Sequence, residues 1–170
     1  MELISQPLDF YGVNIYQAKA LIDDDGTIHG YFREDSNYAT GQPVTQLGWP
    51  INDDCLYWSC KFLTERYNLP ILITENGTSC NDKICLDGKV HDPNRIDFLA
   101  RYLKGIKKAI DDGIDIIGYM YWSVMDNFEW ASGYDARFGL IYVDYQTQER
   151  TIKDSGYWYK SVIETNGENI

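Results

Sequence analysis

The stretch Ile71-Leu72-Ile73-Thr74-Glu75-Asn76-Gly77 constrains the fold of this chain more than any other. Pro70 opens it, and proline sits readily at the first position of a strand. Apolar side chains on consecutive residues suit a strand covered on both faces, as in a parallel sheet flanked by helices. Such sheets carry their chemistry at the carboxyl ends of the strands. Glu75 therefore reads as a charged group at the mouth of a barrel or open sheet. The plainer alternative is a strand-end carboxylate paired with a nearby Arg or Lys.

A second segment has the same grammar. Residues 114–134, IDIIGYMYWSVMDNFEWASGY, run from an apolar strand into polar and aromatic residues. Trp122, Glu129 and Trp130 follow this strand much as Glu75 follows the first. Carboxylates beside indoles point to carbohydrate, because aromatic faces stack on sugar C–H surfaces and carboxylates accept from hydroxyls. Glycoside hydrolysis also uses two carboxylates, one on each side of the scissile bond. From chemistry alone Glu129 could partner Glu75 as acid/base, and Asp126 and Asn127 could be loop-fixing groups.

The rest of the chain alternates strands and helices. A first strand is expected over 8–16, and a hairpin around Asp25-Gly26 within 20–35. A loop over 40–50 leads to a helix from near Asp53 to Tyr67, with Leu56, Cys60, Leu63 and Tyr67 on one face and Cys55 on a face divergent from Cys60. A polar loop over 76–93 turns at Asp87-Gly88. Asp92 is expected to cap a helix with Pro93 at its first position, Leu99, Leu103, Ile106 and Ile110 as its buried stripe, and Gly113 as its end. A strand over 114–121, a hairpin from 138–143 and 149–152, and a helix over 154–165 complete the reading. This alternation implies parallel βα units.

Composition sets limits. Hydrophobic residues make up 44% and aromatics 15% of 170 residues, enough for one sizeable core. A net charge of −11 argues against nucleic acid and anionic membrane surfaces as partners, and no apolar run reaches membrane-spanning length. Cys55/Cys60 and Cys80/Cys85 lack zinc or redox spacing, although Cys80 and Cys85 flank a loop and could bridge on oxidation. Free thiols in a cytoplasmic protein are the expectation. With His29 and His91 away from the cysteines, neither a metal site nor any cofactor is expected.

Two motifs carry a resemblance. ITENG at 73–77 and WSVMDNFEWASGYDARFGLIYVDY at 122–145 resemble glycoside hydrolase family 1, the β-glucosidase family, and DFYGVNIY at 9–16 is similar to the end of that family's sixth barrel strand. The resemblance implies an α/β fold, a partial (β/α)8 TIM barrel covering roughly strands six to eight with their helices. Residues 1–170 would be the C-terminal part of one glycosidase barrel with no separate second domain. Glu75 would be the nucleophile of a retaining β-glucosidase and Tyr16 the donor to it. Asn14, Trp122, Glu129, Trp130 and Phe138 would bind the sugar of a β-glucoside or cello-oligosaccharide, with 6-phosphosugars disfavoured.

The family's acid/base glutamate lies in an Asn-Glu-Pro motif, and no Asn-Glu-Pro occurs in this sequence. A whole barrel needs about 250 residues. The expectation is a truncated fragment, weakly active or inactive, because losing acid/base assistance removes about 10²–10⁴-fold. Opened strand edges predict a homo-oligomer or association with the missing N-terminal part. The alternative is a non-catalytic sugar-binding or assembly fragment that self-associates.

Overall fold

In a computed structural model, residues 6–18 and 43–170 are described. The hairpin expected over 20–35, and His29, lie outside them. Three strands, β1 (Tyr11–Asn14), β2 (Ile71–Asn76) and β3 (Ile116–Tyr121), form a parallel sheet in the order β1-β2-β3. Helices α1 (Cys55–Tyr67) and α2 (Pro93–Asp111) cross between successive strands. Parallel neighbours require such crossovers, since a tight hairpin reverses direction. After β3 come a 3₁₀ turn at Trp130–Ser132, an antiparallel hairpin of β4 (Ile141–Val143) and β5 (Arg150–Ile152), and helix α3 (Asp154–Glu164).

The core lies between the sheet and its helices. Ile71 and Ile73 of β2 are buried against Leu56 and Cys60 of α1 and Phe98, Tyr102 and Ile106 of α2. The intervening Leu72 and Thr74, on the other face, are only partly covered. The expectation of full burial on both faces is thus met on the helix side alone. Among the described residues no strand pairs with the outer edge of β1 or of β3, and Ile117 on β3 is 53% exposed.

The structure corrects several expectations. The first strand is shorter than 8–16, with Leu8 and Phe10 exposed ahead of β1. Cys55 and Cys60 both reach the core rather than diverging, because α1 is covered by β2 and α2 around its first turns. Tyr67 is exposed and stacks on Tyr11 with ring centroids 4.9 Å apart. In α2, Ile110 is 49% exposed while Phe98, Tyr102 and Ala109 are buried. At 100° per residue Ile110 lies within about 20° of Leu99, at the margin of a buried face centred nearer Phe98, Tyr102 and Ala109. Asp92 precedes α2 but its carboxylate makes no capping bond; it accepts from Ser155 N at 2.8 Å and Ser155 Oγ at 2.5 Å instead.

Turn chemistry follows the residues. Gly113, at φ +85°, ends α2 with its N–H on Ile110 O, the left-handed position that glycine fills without steric cost. All four cysteines are free thiols. No helix among the described residues is long and apolar enough to cross a membrane, and no group of three or more His, Cys, Asp or Glu among them is arranged to hold a metal ion.

Candidate active site

The sheet's parallel register brings the carboxyl ends of its strands to one side. Asn14 at the end of β1 pairs with Glu75 near the end of β2, and Asn76 pairs with Tyr121 at the end of β3. Backbone bonds carry this past the strands: Ile15 N donates to Glu75 O at 2.9 Å and Trp122 N to Asn76 O at 2.8 Å. The ends of three strands therefore present Tyr16, Glu75 and Trp122 together.

At the centre, the Tyr16 hydroxyl donates to Glu75 Oε2 at 2.6 Å. That separation belongs to a charge-assisted bond. Among the described residues Glu75 has no Arg or Lys partner, and what holds it is the Tyr16 phenol. The Tyr16 phenol is pushed well above its ordinary pKa, first by burial, then by its bond to Glu75 and by the negative charges of Glu75 and Glu129. It stays a protonated donor, and both carboxylates lie within its electrostatic reach. Beside it, Thr74 Oγ1 donates to Asn14 Oδ1 at 2.6 Å.

The next layer fixes these groups. Asn76 is fully buried and braced from two sides, its amide donating to Ile15 O at 2.8 Å and its Oδ1 accepting from Tyr119 OH at 2.8 Å. Trp122 Nε1 donates to Glu129 Oε2 at 3.1 Å, tying indole and carboxylate into one unit. Phe138 is buried, and its ring stands edge-on to Tyr16 at 6.3 Å. Trp130 stands apart. It is 80% exposed and sits at φ +44° in the 3₁₀ turn. Six of the seven expected residues thus converge, and the indole of the seventh faces outward.

Two features escaped sequence reasoning. Trp49 packs edge-on against Tyr16 at 5.4 Å and tilted against Phe138 at 6.0 Å; its loop has no periodicity to reveal this. The second is a file of alternating charges under the site. Asp92 pairs with Arg95, Arg95 with Asp82 at 2.6 Å, Asp82 with Lys153 at 2.6 Å, Lys153 with Asp126 at 2.8 Å, and Asp126 with Arg137 at 2.6 Å. Asp126 also accepts from Gly139 N at 3.0 Å. It is a loop-fixing group, the role expected for it, and Asn127 joins it by donating to Ser123 Oγ at 3.3 Å.

Chemically, the arrangement offers a carboxylate oriented by a phenol, a second carboxylate held by an indole, and the amide of Asn14 at the neighbouring strand end. Hydroxyl-rich, uncharged ligands suit that set. The sequence profile of Glycosyl hydrolase family 1 matches residues 1–168. The chain is 45% identical over 168 residues to a 1,4-beta-D-glucan glucohydrolase of Thermotoga neapolitana and 44% identical over 169 residues to Beta-glucosidase A of Thermotoga maritima. Each alignment covers 98% of this chain and 37% of the relative, so the chain spans little more than a third of these relatives' length. A solved family 1 β-glucosidase from Thermotoga maritima superposes with a TM-score of 0.84 at 42% identity, over 98% of this chain and 37% of that one. The same enzyme in complex with glucoimidazole gives 0.84 at 43% identity, with the same coverage. Such enzymes are (β/α)8 barrels, of which this chain forms a partial α/β arc. On the profile match and these identities, the chain belongs to glycosyl hydrolase family 1.

Proposed function

We propose that this chain carries the nucleophile side of a retaining β-glucosidase site, acting on terminal β-D-glucosyl residues of β-glucosides or cello-oligosaccharides. The bond of 2.6 Å from Tyr16 to Glu75 carries the reading. An ionised carboxylate held by a neutral donor at a strand end is what a glycosyl nucleophile requires. Glu75 would form a bond to the anomeric carbon as the bond to the leaving oxygen breaks, and water would then hydrolyse the glycosyl-enzyme. Asn14 and Glu129 would hold ring hydroxyls, with Trp122 and Phe138 walling the sugar. Glu129 gives Oε2 to the Trp122 indole, which suits an acceptor of hydroxyls more than a proton donor.

Three parallel strands are three-eighths of a closed eight-stranded barrel, close to the 37% of each relative that is matched. On that count β1, β2 and β3 correspond to the sixth, seventh and eighth strands, and residues 1–170 to the C-terminal part of one barrel. Four free thiols suit a reducing compartment, and the cytoplasm is the proposed setting. A second reading, an arc that binds sugar or a partner chain without turnover, is favoured by the absence of any Asn-Glu-Pro.

The test is covalent labelling with a 2-deoxy-2-fluoro-β-glucoside bearing a dinitrophenolate leaving group, which departs without needing a general acid. An adduct on Glu75, missing from Glu75→Gln, supports the hydrolase reading. No adduct on the wild-type chain hands the function to the second reading.

A further inference from the structure

We propose that Lys153 is a positioning residue that sets how the Glu75 strand end stands relative to the Trp122–Glu129 loop. The inference rests on the reading of these two carboxylates as one sugar site.

Lys153 lies 71 and 27 residues from its two partners and belongs to neither loop. It sits immediately before α3, held there by its own N–H on Leu140 O at 3.0 Å. Its side chain has no solvent exposure, and neither has that of Asp126, while Asp82 has 2%. Asp82 follows Glu75 by seven residues on the loop leaving β2. Asp126 falls between Trp122 and Glu129 on the loop leaving β3, and binds Gly139 N next to Phe138. The ammonium group thus joins the two loops directly, carboxylate to carboxylate, and each loop carries one carboxylate of the site.

Burial makes this link stiff. Charges taken out of water have no substitute partner, so their geometry tolerates little drift. Lys153 itself is held below its ordinary pKa, first by burial and then by the neighbouring Arg95 charge. An ammonium suits the place because it is compact and its three donors can turn to meet carboxylates arriving from different directions. Other ties cross the same seam: Cys80 N to Arg137 O at 3.1 Å and Arg95 to Arg137 O at 2.8 Å. With these in place the fold has support apart from Lys153, and the placement of the loops can be separated from folding.

The test uses the double variant Lys153→Met/Asp126→Asn in the whole chain. Lys153→Met alone would leave the buried file with one negative charge in excess, whereas the pair keeps the file electrically neutral. The introduced amide oxygen can still accept from Gly139 N. Two readouts apply. The first is the ¹H–¹⁵N indole signal of Trp122, one of five tryptophans, assigned with Trp122→Phe; it reports the bond to Glu129 within folded molecules. The second is the rate of adduct formation on Glu75.

The expected result is a displaced Trp122 indole signal in a folded variant, with labelling slowed about 10²-fold, the effect of a misplacement of about 1 Å. A folded variant with the indole signal in place and labelling unchanged overturns the proposal. A purely structural lysine would lower the melting temperature and leave the signal of the folded molecules where it was. If the double variant does not fold, Asp126→Asn alone is read in the same way, since it removes the charge from the link on one side and keeps the Lys153–Asp82 pair. Absence of adduct on the wild-type chain defeats the hydrolase reading, while the indole signal still decides the role of Lys153.

Discussion

Adding one methyl group at Gly77 should separate the two strand ends that make the site. A Cβ built there falls almost on the Trp122 carbonyl oxygen, with the carbonyl carbon at 3.0 Å and Tyr121 Cε2 at 3.3 Å. The oxygen is backbone, so no rotamer change relieves the clash. Reaching an ordinary carbon–oxygen separation of about 3.3–3.6 Å requires the two chains to part by about 1 Å or more. That movement breaks or stretches the 2.8 Å bond from Trp122 N to Asn76 O. Overpacking of this kind costs about 1–3 kcal/mol and a lost backbone bond about 1 kcal/mol, together about 2–4 kcal/mol. For a chain of this length each kcal/mol lowers the melting temperature by about 2–4 °C. Gly77→Ala should therefore melt about 4–16 °C below wild type by circular dichroism, with Glu75 labelling slowed about 10²-fold. Gly12→Ala is the internal control. Its Cβ meets Thr74 Cγ2 at 3.4 Å, ordinary contact, so the loss of chain entropy in the unfolded state should raise stability by about 0.4–1 kcal/mol. If Gly77→Ala melts within about 1 °C of wild type and labels equally fast, the close approach of the two loops is wrong.

Tyr16→Phe removes the donor to Glu75, a bond of a kind worth about 1.5–3 kcal/mol, and should slow Glu75 labelling about 10–150-fold; a change under about twofold would refute the role given to this phenol. His91 is held by Asp154 Oδ2 at 2.6 Å and Asp87 Oδ2 at 3.1 Å, and these bonds, Asp154 foremost, raise its pKa above the usual 6.5. The stabilisation is complete below about pH 6.5 and is lost as pH rises through the elevated value, so the melting temperature of wild type relative to His91→Gln should fall as pH rises above about 6.5. Parallel melting curves across that range would count against the bridge from the 87–91 turn to α3.

Pro70, the apolar run and the abrupt Glu75 made β2 and its end readable in the sequence, because local punctuation and burial acted on consecutive residues. The same holds for α2, where Pro93 and Gly113 mark both ends. Ile110 misled because the buried face of this 19-residue helix is centred nearer Phe98, Tyr102 and Ala109, and a spacing of four, three and four picked out its margin instead. Asp92 misled for another reason: a carboxylate ahead of a helix reads as a cap, yet here a serine 63 residues away claims it. Asp82, Lys153 and Arg95 look like ordinary surface charges in the sequence. Their pairing depends on tertiary distances that no local pattern encodes, and Trp49 lay hidden likewise.

The alternating charge file also shapes how whole molecules meet one another. It takes three acids and three bases out of play, leaving 23 acidic and 12 basic residues in the rest of the chain, which therefore bears the whole net charge of −11. Two copies approaching through the edges of β1 and β3, which no strand among the described residues covers, must first overcome that mutual repulsion, which acts over about 10 Å at 0.1 M salt and only about 3 Å at 1 M. Dilute buffer should hold the copies apart, and concentrated salt should bring the bare strands together.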